Sequence, residues 1–313
     1  MNRRDFVLRS SLALSAGLAS RSLLKAQAPV GPAAAVSQPL NVAFTPLRRG
    51  VGYFTARGGS IGWLVNDAAV AAVDTQFPDT AARFTAELPG RKDRPFDVVI
   101  NTHHHGDHTG GNPVFRKVAK SIVAHANVPT LIEARAKQDK RALNPEVLPT
   151  QTFTDTWRME LGDEVVSTRY FGPAHTKGDI VTTFEKANVV HMGDLLFNRL
   201  YPVIDRSAGA SLRGWIGVLE KVVKTYPRDA IFIFGHGNEK FGVTGSTKDL
   251  LAFRDFLSAA LAHTEKQIAA GRTKPEIIAL ENFPGFPDFH QPLPNRLGGL
   301  LGATYDELTT RAG

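Results

Sequence analysis

His103, His104, His105, Gly106, Asp107 and His108 place four imidazoles and a carboxylate within six consecutive residues. Such a cluster is a poor packing unit, because its members repel once charged and lose solvation if buried unpaired. A transition-metal ion removes both costs, since it takes neutral imidazole nitrogen and carboxylate oxygen as ligands. The chemistry open to such a site is the activation of water at neutral pH, with no need for a serine or thiol nucleophile. The chain contains no cysteine, which excludes a thiol nucleophile and a thiolate ligand. Taken alone, the cluster also suits a solvated histidine-rich loop that binds metal only adventitiously.

The elements that must position it are readable on both sides. Phe96, Val98, Val99 and Ile100 form a short apolar run, read as a buried strand whose C-terminal end carries the first candidate ligands. Open α/β sheets place their chemistry at such ends. Gly106, Gly110 and Gly111 permit the tight turns that let neighbouring side chains converge. Further strand-like runs fall at 61–65, 69–75, 97–102, 121–126, 164–171, 180–185, 187–192 and 230–235. Helical patterns fall at 79–88, 113–119, 129–137, 211–225 and 247–270. In the last of these, Leu250, Phe253, Leu257 and Leu261 repeat at helical intervals as a core stripe. The alternation predicts an α/β protein with two sheets flanked by helices. Beyond 272 the pattern weakens. The aromatic, turn-prone run Phe283–Phe289 is expected to strap the core rather than lean over the site, with a closing helix at 295–311.

The early cluster, written His103-x-His105-x-Asp107-His108, is followed by His175 after Gly172-Pro173-Ala174, Asp194 after Met192-Gly193, and His236 between Gly235 and Gly237. This ordered set resembles the ligand signature of the metallo-β-lactamase superfamily of metallohydrolases, and the resemblance extends from Asn41 to His236. It implies an αββα sandwich of two mixed sheets with metals at one edge. It also implies two sites: His103, His105 and His175 for one ion, Asp107, His108 and His236 for the other, and Asp194 bridging both. Two Zn2+ are expected, although a donor set of His and Asp also accepts Fe or Mn. Ions about 3.5–4 Å apart share a hydroxide, polarise an electrophile and hold a leaving oxygen. Asp107 is expected to orient that nucleophile or to move a proton.

Other polar residues carry weaker signals. Asp74, at the end of the run Val70–Val73, is a candidate support for the ligand loop or a turn-capping carboxylate. Thr176 and Asp179 flank His175 and are candidates to orient its ring. Asn198 and Tyr201 follow Asp194 and are candidate oxyanion donors; Lys177 is a candidate contact for an anionic substrate. The remaining histidines read as structural: His104 beside the ligands or at the surface, His125 at a strand end near the pocket rim, His191 in a strand under Asp194, His263 on a solvated helix face. His290, in the aromatic stretch, is a weak pocket candidate.

At the N-terminus, Arg3-Arg4 precede Phe6, then a modest apolar stretch from Leu12 to Leu24 and the small-x-small site Ala26-Gln27-Ala28. This reads as a twin-arginine export signal over 1–28, followed by a Pro/Ala-rich linker over 29–40 and the hydrolase-like domain over 41–313, ending in a helical extension. The apolar stretch is interrupted by Arg21 and falls short of the ~20 residues a membrane span needs. A bacterial source, passage through the export machinery and a periplasmic or secreted destination follow. The net charge is +7, but residues 1–28 hold five Lys/Arg and one Asp, so the mature chain carries 32 basic and 29 acidic residues, net +3. That balance gives no reason to expect a nucleic-acid partner, and no stable membrane insertion is expected. The partner is a small-molecule substrate.

The reading these features favour is a dinuclear hydrolase of an ester, lactone, thioester or amide bond. A β-lactamase is the first alternative, opposed by Asp194, where β-lactamases of this superfamily place a cysteine ligand or a non-ligand serine. An iron-dependent, persulfide dioxygenase-like oxidoreductase is the second. A non-catalytic protein with a relic site is the third, opposed by the intact donor set.

Overall fold

A computed structural model describes residues 42–310; the export-signal and linker readings, 1–28 and 29–40, lie outside them. The first seven strands are β1 (Ala43–Pro46), β2 (Val51–Thr55), β3 (Ile61–Val65), β4 (Val70–Val73), β5 (Val98–Asn101), β6 (Ile122–His125) and β7 (Gln151–Phe153), paired in sequence order in one mixed sheet. Next come β8 (Thr156–Leu161), β9 (Glu164–Tyr170), β10 (Ile180–Phe184), β11 (Val189–His191), β12 (Phe197–Asn198), β13 (Ile231–Ile233), β14 (His236–Gly237) and β15 (Thr244–Gly245). Six of these form a second mixed sheet in the order β15-β13-β11-β10-β9-β8, while β12 and β14 pair by themselves.

The helices are α1 (Pro78–Glu87), α2 (Gly106–Thr109), α3 (Asn112–Phe115), α4 (Val128–Gln138), α5 (Leu212–Thr225), α6 (Thr247–Ala269), α7 (Lys274–Ile278) and α8 (Arg296–Thr309). Most strands and long helices lie where periodicity puts them. The helix read at 113–119 is a single turn, α3, and β1, β2, β7, β8, β15 and the β12–β14 pair were not expected. β8 alternates half-buried and exposed residues, Thr-Trp-Arg-Met-Glu-Leu, because it is an edge strand with charges on its open face.

Four layers follow from what each strand buries. β4 has no exposed residue: Ala71 and Val73 point to one core, Val70 and Ala72 to another. The first core lies between the sheets and joins Val98, Ile100 and Val123 to Val166, Ile180, Phe184 and Val189. The second packs the outer face of the first sheet on Phe84 of α1 and Phe115. A third, the largest, packs Val181, Val190 and Phe232 against α5, α6 and α8. The architecture is therefore an αββα sandwich. α5 buries Leu212, Trp215, Val218, Leu219 and Val222, one helical face, and Ser211 caps its start by accepting from the Gly214 N–H.

The C-terminal run does strap the core. Phe289 stacks on Phe256 with ring centroids 4.3 Å apart, and Phe283 and Phe286 meet the same ring edge-on. The Tyr201 hydroxyl accepts from the Phe283 N–H, and the Tyr201 N–H donates to the His290 carbonyl. The strap then runs on to the mouth of the site. Among the described residues no helix is long and apolar enough to cross a membrane.

Phe256→Ala removes the ring on which the strap stacks. A loss of about 3–5 kcal/mol is expected in urea unfolding, with protease cleavage appearing within 280–292. A loss below about 1 kcal/mol would show that the strap does not belong to the folded core.

Candidate metal centre

The candidate ligands stand at strand ends. β5 delivers Thr102 and His103, the following turn and α2 deliver His105, Asp107 and His108, and the loop before β10 delivers His175. Asp194 follows β11, and His236 opens β14. The turn is tied down from within. Asn101 and Asn112 exchange side-chain amide hydrogen bonds of 3.1 and 2.9 Å, and Thr75 Oγ1 donates to the His108 carbonyl. Neighbours approach so closely that two positions take no side chain. A Cβ at Gly59 would overlap the His108 ring, and one at Gly235 would overlap Asp194 Oδ1.

The structure brings all seven expected side chains together, in two groups. In the first, His103 Nε2 and His175 Nε2 each lie 3.0 Å from His105 Nδ1, and they lie 3.7 and 3.5 Å from Asp194 Oδ2. In the second, Asp194 Oδ1 lies 3.1 Å from His108 Nε2 and 3.4 Å from His236 Nε2, which is 3.2 Å from Asp107 Oδ2. Asp194 thus turns one oxygen to each group.

The hydrogen bonds around the rings decide which nitrogens carry protons. His175 Nδ1 donates to the Val203 carbonyl (2.9 Å), His108 Nδ1 to Asp74 Oδ2 (2.7 Å) and His105 Nε2 to Asp205 Oδ2 (2.9 Å). The Thr102 hydroxyl donates to Asp74 Oδ2 (2.8 Å), so its oxygen accepts from His103 Nδ1 (3.1 Å). In the neutral rings the opposite nitrogens of His103, His105 and His175 then carry lone pairs, and these face one another at 3.0 Å. Lone pairs so placed repel unless a cation stands between them. Donors held about 2.0–2.2 Å from a tetrahedral metal lie about 3.3–3.6 Å apart, which both groups approach. His108 Nε2 and Asp194 Oδ1, buried and without a hydrogen-bond partner, complete the fit.

Electrostatics divide the two groups. Burial, reinforced by His108 and only partly opposed by Asp194, holds His103 well below the usual histidine range; burial and His105 bring His175 to about 3. Burial acts in the same direction on His108 and His236, but the carboxylates win: Asp194, Asp74 and Asp107 raise His108 well above its usual value, and Asp194 and Asp107 raise His236 to about 9. Burial would raise Asp194, yet His236 and His108 hold it well below the carboxylate range. His103 and His175 are thus prepared to receive a cation as neutral nitrogen. The second demands positive charge beside its carboxylates.

Among the weaker candidates, Asp74 is fully buried, with φ of 69°, and holds Thr102 and His108 together. The others require correction. The His175 ring is oriented by the Val203 carbonyl, while Asp179 accepts from the Thr176 N–H and contacts no ligand ring. Asn198 donates its amide to the carbonyls of Phe241 and Gly242, so this donor serves a loop instead of an oxyanion, while the buried Tyr201 hydroxyl accepts from the Phe283 N–H of the strap. Lys177 is exposed and lies outside the cleft over the centre. His125 stacks on Tyr170 at 4.1 Å and stays off the cleft lining; exposed His290 meets Tyr201 only through its backbone.

Asp205, absent from the sequence reading, is the partner of His105, and its second oxygen accepts from Ser207 Oγ and the Ala208 N–H. Its one sequence signal is a turn-capping position, shared with many aspartates. His104, read as standing beside the ligands or at the surface, stands beside them: it is buried, lines the cleft and lies 3.6 Å from Asp205 Oδ2.

The family model of the metallo-beta-lactamase superfamily matches residues 55–236, and the chain belongs to that superfamily. It is 26% identical over 191 residues to a metallo-beta-lactamase type 2 of Bacillus cereus, covering 60% of this chain and 71% of that protein. It is 29% identical over 243 residues to a hydroxyacylglutathione hydrolase of Brucella ovis, covering 73% and 81%. The fold is similar to that of a metallo-beta-lactamase from Pontibacter korlensis, with TM-score 0.57, 17% identity, and 69% and 99% of the two chains covered.

Asp205→Asn keeps the shape of the His105 partner and removes its charge. Metal affinity is expected to fall about 10–100-fold, measured by competition with a chromophoric chelator, while the far-ultraviolet circular dichroism is preserved. Affinity equal to the parent protein's would mean that His105 needs no carboxylate behind it.

Proposed function

We propose that this protein is an exported dinuclear metallohydrolase acting on the carbonyl of an ester, lactone, thioester or amide. The observation that carries the reading is the sharing of Asp194, one oxygen to each of two donor groups. His103, His105, His175 and Asp194 Oδ2 would hold one ion, and Asp107, His108, His236 and Asp194 Oδ1 the other. Zinc suits this all-nitrogen-and-oxygen set, which also accepts iron or manganese. When bound, the ions supply Lewis acidity and lower the pKa of water toward about 7.

The chain's own residues perform the rest. Val203, Asp74, Asp205 and Thr102 hold the rings of His175, His108, His105 and His103 in one tautomer, so these four donors are oriented in advance. Asp107 lines the cleft floor, and its side chain remains 27% exposed. It is therefore the carboxylate placed to orient the attacking water, and although burial would raise it, His108 and His236 hold it well below the usual carboxylate range, in its ionised form. The aspartate at 194 supports the general hydrolase reading, and likeness to a protein named hydroxyacylglutathione hydrolase, over more of the chain than the β-lactamase match, supports it further.

The test is a panel of a thioester, a lactone, an aryl ester and a β-lactam with metal-counted enzyme. Asp194→Asn is expected to reduce bound metal from two ions per chain to one or none and turnover by about 100-fold or more. Two ions and full activity in that variant would refute the assignment, and turnover of the β-lactam alone would make the protein a β-lactamase. Export is tested separately. Arg3→Lys with Arg4→Lys is expected to leave the precursor in the cytoplasm, read by fractionation, whereas unchanged export would remove the twin-arginine reading.

A further inference from the structure

The donor groups lie at the floor of a cleft of about 980 Å³, at the upper end of the volumes small-molecule sites occupy. Its apolar lining includes Phe77, Ile132, Val147, Leu200, Val203 and Leu293. Leu293 is 57% exposed, the one large apolar side chain so exposed among the described residues. Apart from the metal-centre carboxylates, the charged residues of the lining are Arg135, Arg141, Arg296 and a single acid, Asp139. Asp139 is already committed, with its Oδ2 3.0 Å from Arg135 Nε and 3.5 Å from Arg141 Nε. One carboxylate thus answers two guanidinium groups. Arg296, half-buried in the first turn of α8, has no ion pair and no side-chain hydrogen bond among the described residues.

Arg296 and Leu293 lie beyond the family-matched residues 55–236. They reach the mouth because the strap before them is anchored: Phe283 and Phe289 are buried against Phe256, and the backbone of Tyr201 holds His290. Part of the cleft wall over the donor groups therefore comes from outside the family's common segment. We infer that Arg296, assisted by Arg141, forms a carboxylate-binding subsite, and that the substrate is a carbonyl compound with an apolar segment and an anionic group remote from the bond that breaks. This rests on the hydrolase reading for the reaction and on the cleft lining alone for the subsite. Guanidinium binds carboxylate through paired N–H groups, and the apolar walls take the intervening carbon chain.

Two esters of similar length test it on the metal-loaded full chain: 4-nitrophenyl butyrate and mono-4-nitrophenyl glutarate. The carboxylated ester is expected to have the higher kcat/KM. Arg296→Gln is expected to reduce the ratio of the two about tenfold, chiefly through KM, and Arg141→Gln severalfold. Arg158→Gln, on exposed β8, should leave the ratio as it was. A ratio unaltered in Arg296→Gln, or equal losses on both esters, overturns the subsite. Calorimetry with 5-phenylvalerate and 5-phenylpentanol separates the two readings. If neither ester is hydrolysed but the carboxylate binds in preference to the alcohol and loses that preference in Arg296→Gln, the hydrolase reading fails and the subsite stands. Carboxylate binding insensitive to Arg296→Gln places the anion on the metals and overturns it.

Discussion

Three ring nitrogens that face one another without a proton between them are the constraint around which this protein is arranged. His103, His105 and His175 stand 3.0 Å apart along two edges, each with its far nitrogen engaged by an acceptor that fixes the tautomer. Such an arrangement is unfavourable by itself and has to be enforced from outside. Enforcement comes from strand ends. Asp74 follows the last residue of β4 and Thr102 the last of β5, parallel neighbours in the first sheet, so Asp74 meets the Thr102 N–H and the His108 ring at once. The second sheet brings His191 and then Asp194 to the same edge. The inter-sheet core fixes the two sets of strand ends relative to one another, and the backbone approaches the site so closely that Gly59 and Gly235 leave no room for a Cβ.

The large helical core does a different job. It holds the loops that complete the orientation: Val203 and Asp205 lie in the segment leading into α5, and Glu307 of α8 accepts from Ser211 Oγ and the Leu212 N–H at the start of that helix. The His175 ring itself rests near Trp215 and Phe197, with centroids 5.3 and 5.7 Å away. Helix packing on the outer face of the second sheet is thereby coupled to the direction of a ring at the metal centre.

Which parts of this were legible in the sequence follows from how local each interaction is. The turn carrying His103, His105, Asp107 and His108 is compact, so its purpose shows in residue types alone. His175, Asp194 and His236 are separated by long stretches and could be paired with that turn only through resemblance to a family. The orienting groups divide in the same way. Asp74 ends an apolar run and could be suspected, whereas the Val203 carbonyl has no side-chain signature and Asp205 looks like any turn-capping aspartate. Nearness to Asp194 misled at Asn198, because β12 pairs with β14 and its amide is committed to the Phe241 and Gly242 carbonyls, while the Tyr201 hydroxyl meets the strap at the Phe283 N–H. Lys177 adjoins the His175 loop but points away, and the cleft's cations lie on α4, its following loop and α8. No periodicity reveals that placement.

Charge balance at the centre sharpens the role of those cations. Asp107 and Asp194 belong to the donor groups, and Asp74 and Asp205 stand directly behind two of the rings. With two divalent ions bound, as proposed, four carboxylates would oppose their four positive charges and a shared hydroxide would add one negative charge, so the centre would exert little net pull on an approaching anion. Field falls off over about 8–10 Å at ordinary ionic strength, so what a substrate senses at the mouth is set by the groups there. Those are guanidinium groups in excess of their one carboxylate. On the proposed reading the centre would determine which bond breaks, and the outer wall, to which Pro292, Leu293 and Arg296 from beyond the family's common segment contribute, would determine which molecule arrives.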